Sequence, residues 1–146
     1  MTRRIELQVG DLRAQYELLE EWAPKTTAAL WTHLPAEGRL YHGRVSGDSA
    51  IFPVRGDAIK ELSIVPTQLE AAATSIYRGF IVAAIYPHMG LMDLTISYGK
   101  AELRRDNGRW YGTPVAEIVG DGAPFFALLK SLRAEGDKRM TARRVE

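Results

Sequence analysis

Two prolines bracket the stretch that most limits what this chain can fold into. Pro24 and Pro35 enclose Lys25-Thr26-Thr27-Ala28-Ala29-Leu30-Trp31-Thr32-His33-Leu34. Pro24 suits a first helical position, where φ is already helical and no amide hydrogen is needed. Thr27, Leu30, Trp31 and Leu34 recur at i, i+3, i+4 and i+7, which puts them on one face, with Lys25, Thr32 and His33 elsewhere. Pro35 stops the helix, because the residue before a proline is pushed out of the α region. The spacing predicts a helix over 24–34. Trp31 reads as the anchor that holds it to a sheet, since aromatic residues at helical spacing pack.

Around that helix the pattern is β. Ile5 to Val9 and Ala14 to Leu19 read as strands, with Gly10-Asp11 as the turn of a hairpin. Leu12, Tyr16 and Leu19 are also spaced for a helix, but the alternation of Gln15, Glu17 and Leu19 favours the strand. Gly38 to Val45 forms a strand with Leu40, His42 and Arg44 on one face and Tyr41, Gly43 and Val45 on the other. Ser46 to Ser49 turns, and Ala50 to Val54 returns as its partner, with Pro53 confined to an edge or bulge. From Arg55 to Thr74, broken by Pro66, the chain reads as loop with a helical turn at Gln68 to Ala73. Tyr77 to Tyr86 is a central strand region and Asp93 to Tyr98 a half-buried strand with Leu94, Ile96 and Tyr98 on one side. Gly99-Lys100 turns into a short strand from Ala101 to Arg104, Asp106-Asn107-Gly108 reads as a hairpin turn, and Pro114 to Val119 is a strand. Pro124 opens a second helix over 124–135, with Phe125, Leu128, Leu129 and Leu132 at helical spacing and Gly136 as its stop. Met140 to Val145 ends the chain as a strand.

A length of 146 residues fits one domain, 1–146, able to bury roughly 68–70% of its unfolded surface. Nineteen basic residues against eighteen acidic leave a formal charge of +1, so no global field favours nucleic acid or an anionic membrane. There is no cysteine, which removes disulfides, thiolate metal sites and cysteine nucleophiles. The N-terminus lacks the apolar core of a signal peptide, and no apolar run reaches membrane-spanning length. A cytoplasmic location is expected.

The order strand, Pro24-Lys25-Thr26 helix, loop, strand with Tyr41-His42-Gly43 resembles the front of the cyclophilins, where a Pro-Lys-Thr helix precedes a Phe-His-Arg strand. The chain also resembles small bacterial cyclophilin-like domains of unknown function. The resemblance implies a mainly β fold: a closed barrel of about eight strands with one helix at each end. Peptidyl-prolyl isomerisation is the activity it brings first. The arginine after the aromatic-His pair is thought to bond the substrate amide and favour its twisted transition state. Gly43 stands in that position here, and Arg44 falls on the opposite face, so efficient isomerase activity is not expected.

No phosphate-cradling glycine loop, nucleophile elbow or metal-ligand spacing is present, and His33, His42 and His88 match no ligand pattern. No metal and no cofactor are expected. The alternative is a small-molecule site. His42 and Arg44 on one face could hold an anionic or amide-bearing molecule, with Phe52 across the hairpin and Tyr98 nearby. Tyr86, His88, Tyr98 and Trp110 fall at strand ends, where a barrel mouth would lie. His42 is the candidate acid–base group, although no nucleophile or orienting carboxylate stands beside it. The resemblance to cyclophilin-like domains in allophanate-hydrolase-like and oxoprolinase-like subunits implies amide or small-ring substrates. A third class is a non-catalytic interaction subunit using the basic tail Lys138 to Arg144 or Arg104-Arg105. A homodimer is expected to form through a strand edge, either Gly38 to Val45 or Asp93 to Tyr98.

Overall fold

The computed structural model describes residues 2–65, 67–105 and 108–146. In chain order the elements are β1 (Arg4–Val9), β2 (Leu12–Leu18), α1 (Pro24–Thr32), β3 (Ala36–His42), β4 (Gly47–Arg55), β5 (Ser75–Ile76), β6 (Phe80–Tyr86), β7 (Leu91–Glu102), β8 (Arg104–Arg105), β9 (Gly108–Arg109), β10 (Thr113–Ile118), α2 (Ala123–Glu135) and β11 (Lys138–Val145). The sheet runs β4-β3-β11-β1-β2-β10-β6-β7, and β7 pairs back on β4, from Ala50↔Ile96 to Arg55↔Leu91. These eight antiparallel strands make a closed barrel, with β5 attached to the far end of β7. No helix among the described residues is long and apolar enough to cross a membrane.

Alternation decides what fills the barrel. Ile5 and Leu7, Tyr16 and Leu18, Phe52 and Val54, and Met92, Leu94 and Ile96 all point inward and are buried. β6 breaks the alternation for a physical reason: both of its faces are covered. Ile81, Ala83 and Ile85 join the interior, while Val82 and Ala84 pack outside with Ile76, Ala101 and Leu103. A strand buried on both sides reads as a continuous apolar run.

The helices sit at opposite mouths. α2 closes the mouth where β2 begins, with Phe125 edge-on to Tyr16 at 6.4 Å between ring centroids. Asp121 accepts a hydrogen bond from the amide of Ala123 at 2.9 Å, just ahead of the first turn. α1 closes the mouth where β2 ends, and Arg144 of β11 donates to the carbonyl of Trp31 at 2.9 Å. Trp31 is only half-buried: the guanidinium groups of Arg3 and Arg144 lie 4.7 and 5.3 Å from its ring centroid. It packs as much by cation–π contact as by insertion into the core. His33 just after α1 accepts from the amide of Ala58 at 3.0 Å, tying the helix to a 3₁₀ turn at Asp57–Glu61.

Several boundaries differ from the sequence expectation. The helical turn lies at Asp57–Glu61, not at 68–73, where the chain makes hydrogen-bonded turns instead. Gly99-Lys100 does not turn. β7 runs through it to Glu102, and Gly99 is needed for close approach, because a Cβ there would meet the Asp48 carboxylate at 2.5 Å. β3 stops at His42, so Arg44 falls on the following loop, exposed. The expected Asp106-Asn107 turn and the break at Pro66 lie outside the described residues. The two strands proposed as dimer edges are not edges: β3 lies between β11 and β4, and β7 between β4 and β6. Pro53 sits beyond the only β3–β4 pairs, Tyr41↔Ile51 and His42↔Ala50, so its missing amide hydrogen costs no ladder bond.

Phe52 is fully buried in the barrel interior. Phe52→Ala is expected to cost about 3–5 kcal/mol in urea unfolding, and Arg44→Ala less than about 0.5 kcal/mol. Tyr16 carries a buried hydroxyl with no hydrogen-bond partner among the described residues. Burial pushes its phenol above the ordinary value of 10.0. The folded state therefore holds this proton more tightly than the unfolded chain, and its contribution is complete below pH 10 and declines as the pH rises further. Tyr16→Phe is expected to be neutral or stabilising by up to about 1 kcal/mol at neutral pH, and to flatten the alkaline loss measured by unfolding at pH values above ~10.

Candidate functional site

At the α2 mouth, β3 and β7 bring His42 and Tyr98 together. Both are inward positions: His42 ends β3, and Tyr98 lies within β7, which runs on to Glu102. The Tyr98 hydroxyl donates to His42 Nε2 at 2.7 Å, and the rings meet edge-on at 5.8 Å between centroids. The His42 Nδ1 hydrogen is donated to the Gly43 carbonyl at 2.8 Å, because a carbonyl can only accept. That fixes the tautomer and leaves Nε2 as the acceptor. Arg133 in the last turn of α2 also donates to it, from Nε at 3.2 Å, and its terminal nitrogen reaches Asp48 at 3.3 Å. Burial raises the Tyr98 phenol above its ordinary range; Arg133 opposes this and Asp48 adds to it, so the hydroxyl stays a donor. His42 therefore has both ring nitrogens engaged. The arrangement fastens the end of α2 to the barrel.

The other expected site residues lie elsewhere. Phe52 is inside the core and closed to any ligand. Arg44 belongs to the outer side: its charge is felt by Tyr41, whose phenol is raised by burial and by Asp93 against the pull of Arg39 and Arg44. His42 and Arg44 do not share a face, since the alternation that would have paired them ends with β3 at His42. Gly43 leaves no room for an arginine: a Cβ there would stand 2.4 Å from Ser46 Oγ and 2.9 Å from Ser49 Oγ. Among the described residues, no three of His, Asp and Glu gather closely enough to hold a metal ion.

At the opposite mouth α1 leaves concave space beside it. Ile85 at the end of β6 and Leu69 on the 62–74 segment form the common wall of two adjoining clefts. One, of about 230 Å³, is lined by Ile64, Leu69, Ile85, Arg109, Trp110 and Tyr111. Trp110 is held there by a parallel stack on Tyr86, with centroids 6.2 Å apart. The other, of about 270 Å³, carries Lys25, Thr26, Glu61, Ser63, Gln68 and Glu70 besides the shared wall. Its floor is tied to α1. The Glu70 carboxylate accepts from the amides of Lys25 at 3.0 Å and Thr26 at 2.7 Å and from the Thr26 hydroxyl at 2.8 Å. Two otherwise unbonded amides of the first helical turn are thereby satisfied, and the positive end of the helix meets a negative charge.

Of this cleft, sequence reasoning singled out only Trp110, as an aromatic at a strand end. Leu69, Glu70 and Arg109 come from segments without periodicity, where spacing says nothing about which side chains converge. Arg133 gave no signal either, as one charged residue on the exposed side of a helix. The geometry at Gly43 has an enzymatic consequence. A coupled peptidyl-prolyl isomerisation assay is expected to show no turnover above the uncatalysed rate, and Arg44→Ala to leave that result unchanged. Catalysis abolished by Arg44→Ala would mean that Arg44 reaches the place Gly43 cannot fill.

No curated protein sequence matches this chain. Among solved structures it is similar to McbB in complex with tryptophan, with a TM-score of 0.71 and 15% identity, over 95% of this chain and 44% of that one. The chain thus spans less than half the length of that protein. It is also similar to the hypothetical protein AF2241 from Archaeoglobus fulgidus, solved in solution, with a TM-score of 0.61 and 19% identity, over 99% of this chain and 95% of that one. At such identities these likenesses concern the fold. At the level of sequence, residues 5–142 match the profile described as Protein of unknown function (DUF3830), and the chain belongs to that family.

Proposed function

We propose that this barrel binds a small molecule in the two-lobed cleft at its α1 mouth. The observation that carries the reading is the shape and lining of that cleft. An apolar lobe walled by Leu69, Ile85, Trp110 and Tyr111 opens onto a polar lobe with Lys25, Thr26, Ser63 and Gln68. Small-molecule sites combine apolar walls with a few convergent polar groups in this way, and the two lobes together fall within the usual ~300–1,000 Å³. The ligand then has a flat apolar body and a polar end, an anion or an amide. Binding is favoured over catalysis because in the cleft's one described hydroxyl–carboxylate pair Thr26 is buried and Glu70 is tied to the first turn of α1. The tryptophan bound to McbB has a flat ring and a charged end, which makes it a sensible first compound to try. Kinship with the cyclophilins is part of this reading, supported by the closed barrel, the Pro24-Lys25-Thr26 helix and the Tyr41-His42 strand.

A second reading keeps the ligand at the α2 mouth, and the contact between His42 and Tyr98 favours it. It is weaker, because both ring nitrogens of His42 already have partners and Arg133 covers them.

Backbone amide shifts titrated with tryptophan, indole and small aromatic acids and amides test the two. The expected result is perturbation of residues 62–70, 85 and 109–111. Ile64→Asp and Tyr111→Ala, both exposed enough to spare the fold, are expected to abolish it. A ligand at 100 times its dissociation constant would raise stability by about 2.7 kcal/mol, visible in thermal unfolding. Shifts confined to His42, Asp48, Tyr98 and Arg133 would transfer the site to the other mouth.

A further inference from the structure

We infer that the cleft selects an anion over a neutral amide, and that Arg109 makes the selection. The inference rests on the cleft being the binding site. Among the described residues, the apolar lobe has one charged side chain, Arg109, with Ile64, Leu69, Ile85, Trp110 and Tyr111. Other arginines are committed within the fold: Arg4 to Glu17, Arg39 to Asp137, Arg133 to Asp48, Arg139 to Glu37 and Arg143 to Glu6. The Arg109 side chain makes no ion pair or hydrogen bond with any other described residue. Among the described residues nothing takes up its five donors.

The neighbouring lobe sets Lys25 against Glu61, while the Glu70 carboxylate is met by the positive end of α1. Lys25 adds a second cation without an ion pair among the described residues. Glu70 is bound to the first turn of α1, which leaves Glu61 as the carboxylate free to oppose them.

The chemistry of the guanidinium then decides the ligand class. It offers only donors, in a planar fork that matches the two oxygens of a carboxylate. An amide gives that fork one oxygen, and its own NH₂ finds no acceptor there. A cation is repelled. Arg109 is exposed, so the pair it forms is screened by salt. The flat body of the ligand lies against the aromatic faces of Trp110 and Tyr111.

Three probes with one ring system and different charge test this on the full chain: naphthylacetate, naphthylacetamide and naphthylethylamine. Affinities come from amide-shift titration of the wild type and Arg109→Gln. The acetate is expected to bind at least about tenfold more tightly than the acetamide, with the amine weakest, and added salt should narrow the gap. Arg109→Gln should erase the acetate advantage while leaving acetamide affinity unchanged. Equal affinity for all three, or an acetate preference that survives Arg109→Gln, overturns the inference and leaves the cleft standing. Failure of all three to perturb residues 62–70 and 109–111 overturns the cleft itself, and this inference with it.

Discussion

Everything in this molecule depends on the ladder between β4 and β7. Without it the sheet would be an open ribbon with two long unpaired edges, each a template for another chain. With it the sheet becomes a barrel, and the interior and exterior of every strand are fixed by the parity of its residues. Phe52, Val54, Leu94 and Ile96 become core because their neighbours across the ladder face the same enclosed space. The shortest ladder in the wall, between β3 and β4, falls where Pro53 cannot donate a hydrogen bond.

Closure also creates two mouths, and the chain treats them differently. At one, α2 is pinned by a chain of polar contacts through Arg133, His42 and Tyr98, and the aromatic contact of Phe125 with Tyr16 fills the space below. At the other, α1 caps less completely. Trp31 is spread under two guanidinium groups, and the remaining space is left to the 62–74 segment, whose described residues belong to no strand or helix. Barrels with unequal mouths offer concavity at the looser one, where loops rather than side chains of the wall define the shape.

The sequence displayed the parts of this arrangement that obey a period. Pro24 and Pro124 each mark a first helical turn, and the spacing of Leu30 or of Phe125 and Leu129 gives the buried face directly. The inward set Leu94, Ile96 and Tyr98 could be read from alternation alone, and so could the inward position of His42. What alternation does not carry is the point at which a strand stops. The reading of Gly38 to Val45 ran past His42, so Arg44 was assigned a face it does not have. Phe52 was read as facing a ligand because a strand face looks the same whether it lines a pocket or a filled core. The cleft was least legible, because Leu69, Glu70 and Arg109 meet only through the tertiary path of two irregular segments.

The position of β1 carries a consequence for how the chain can be made. Arg4–Val9 is zipped on one side to β2 and on the other to β11, with Arg4 opposite Val145 and Gln8 opposite Thr141. β1 waits for β11. The wall closes only when residues 138–145 reach β1, so β1 stays half-paired until every strand between the two has been made. Until then β1 presents an unpaired edge in a topology of long sequence separations, the slowest kind to fold. The charged outer faces of these two strands, where Glu6 meets Arg143, suit that interval: they keep the waiting edge in water.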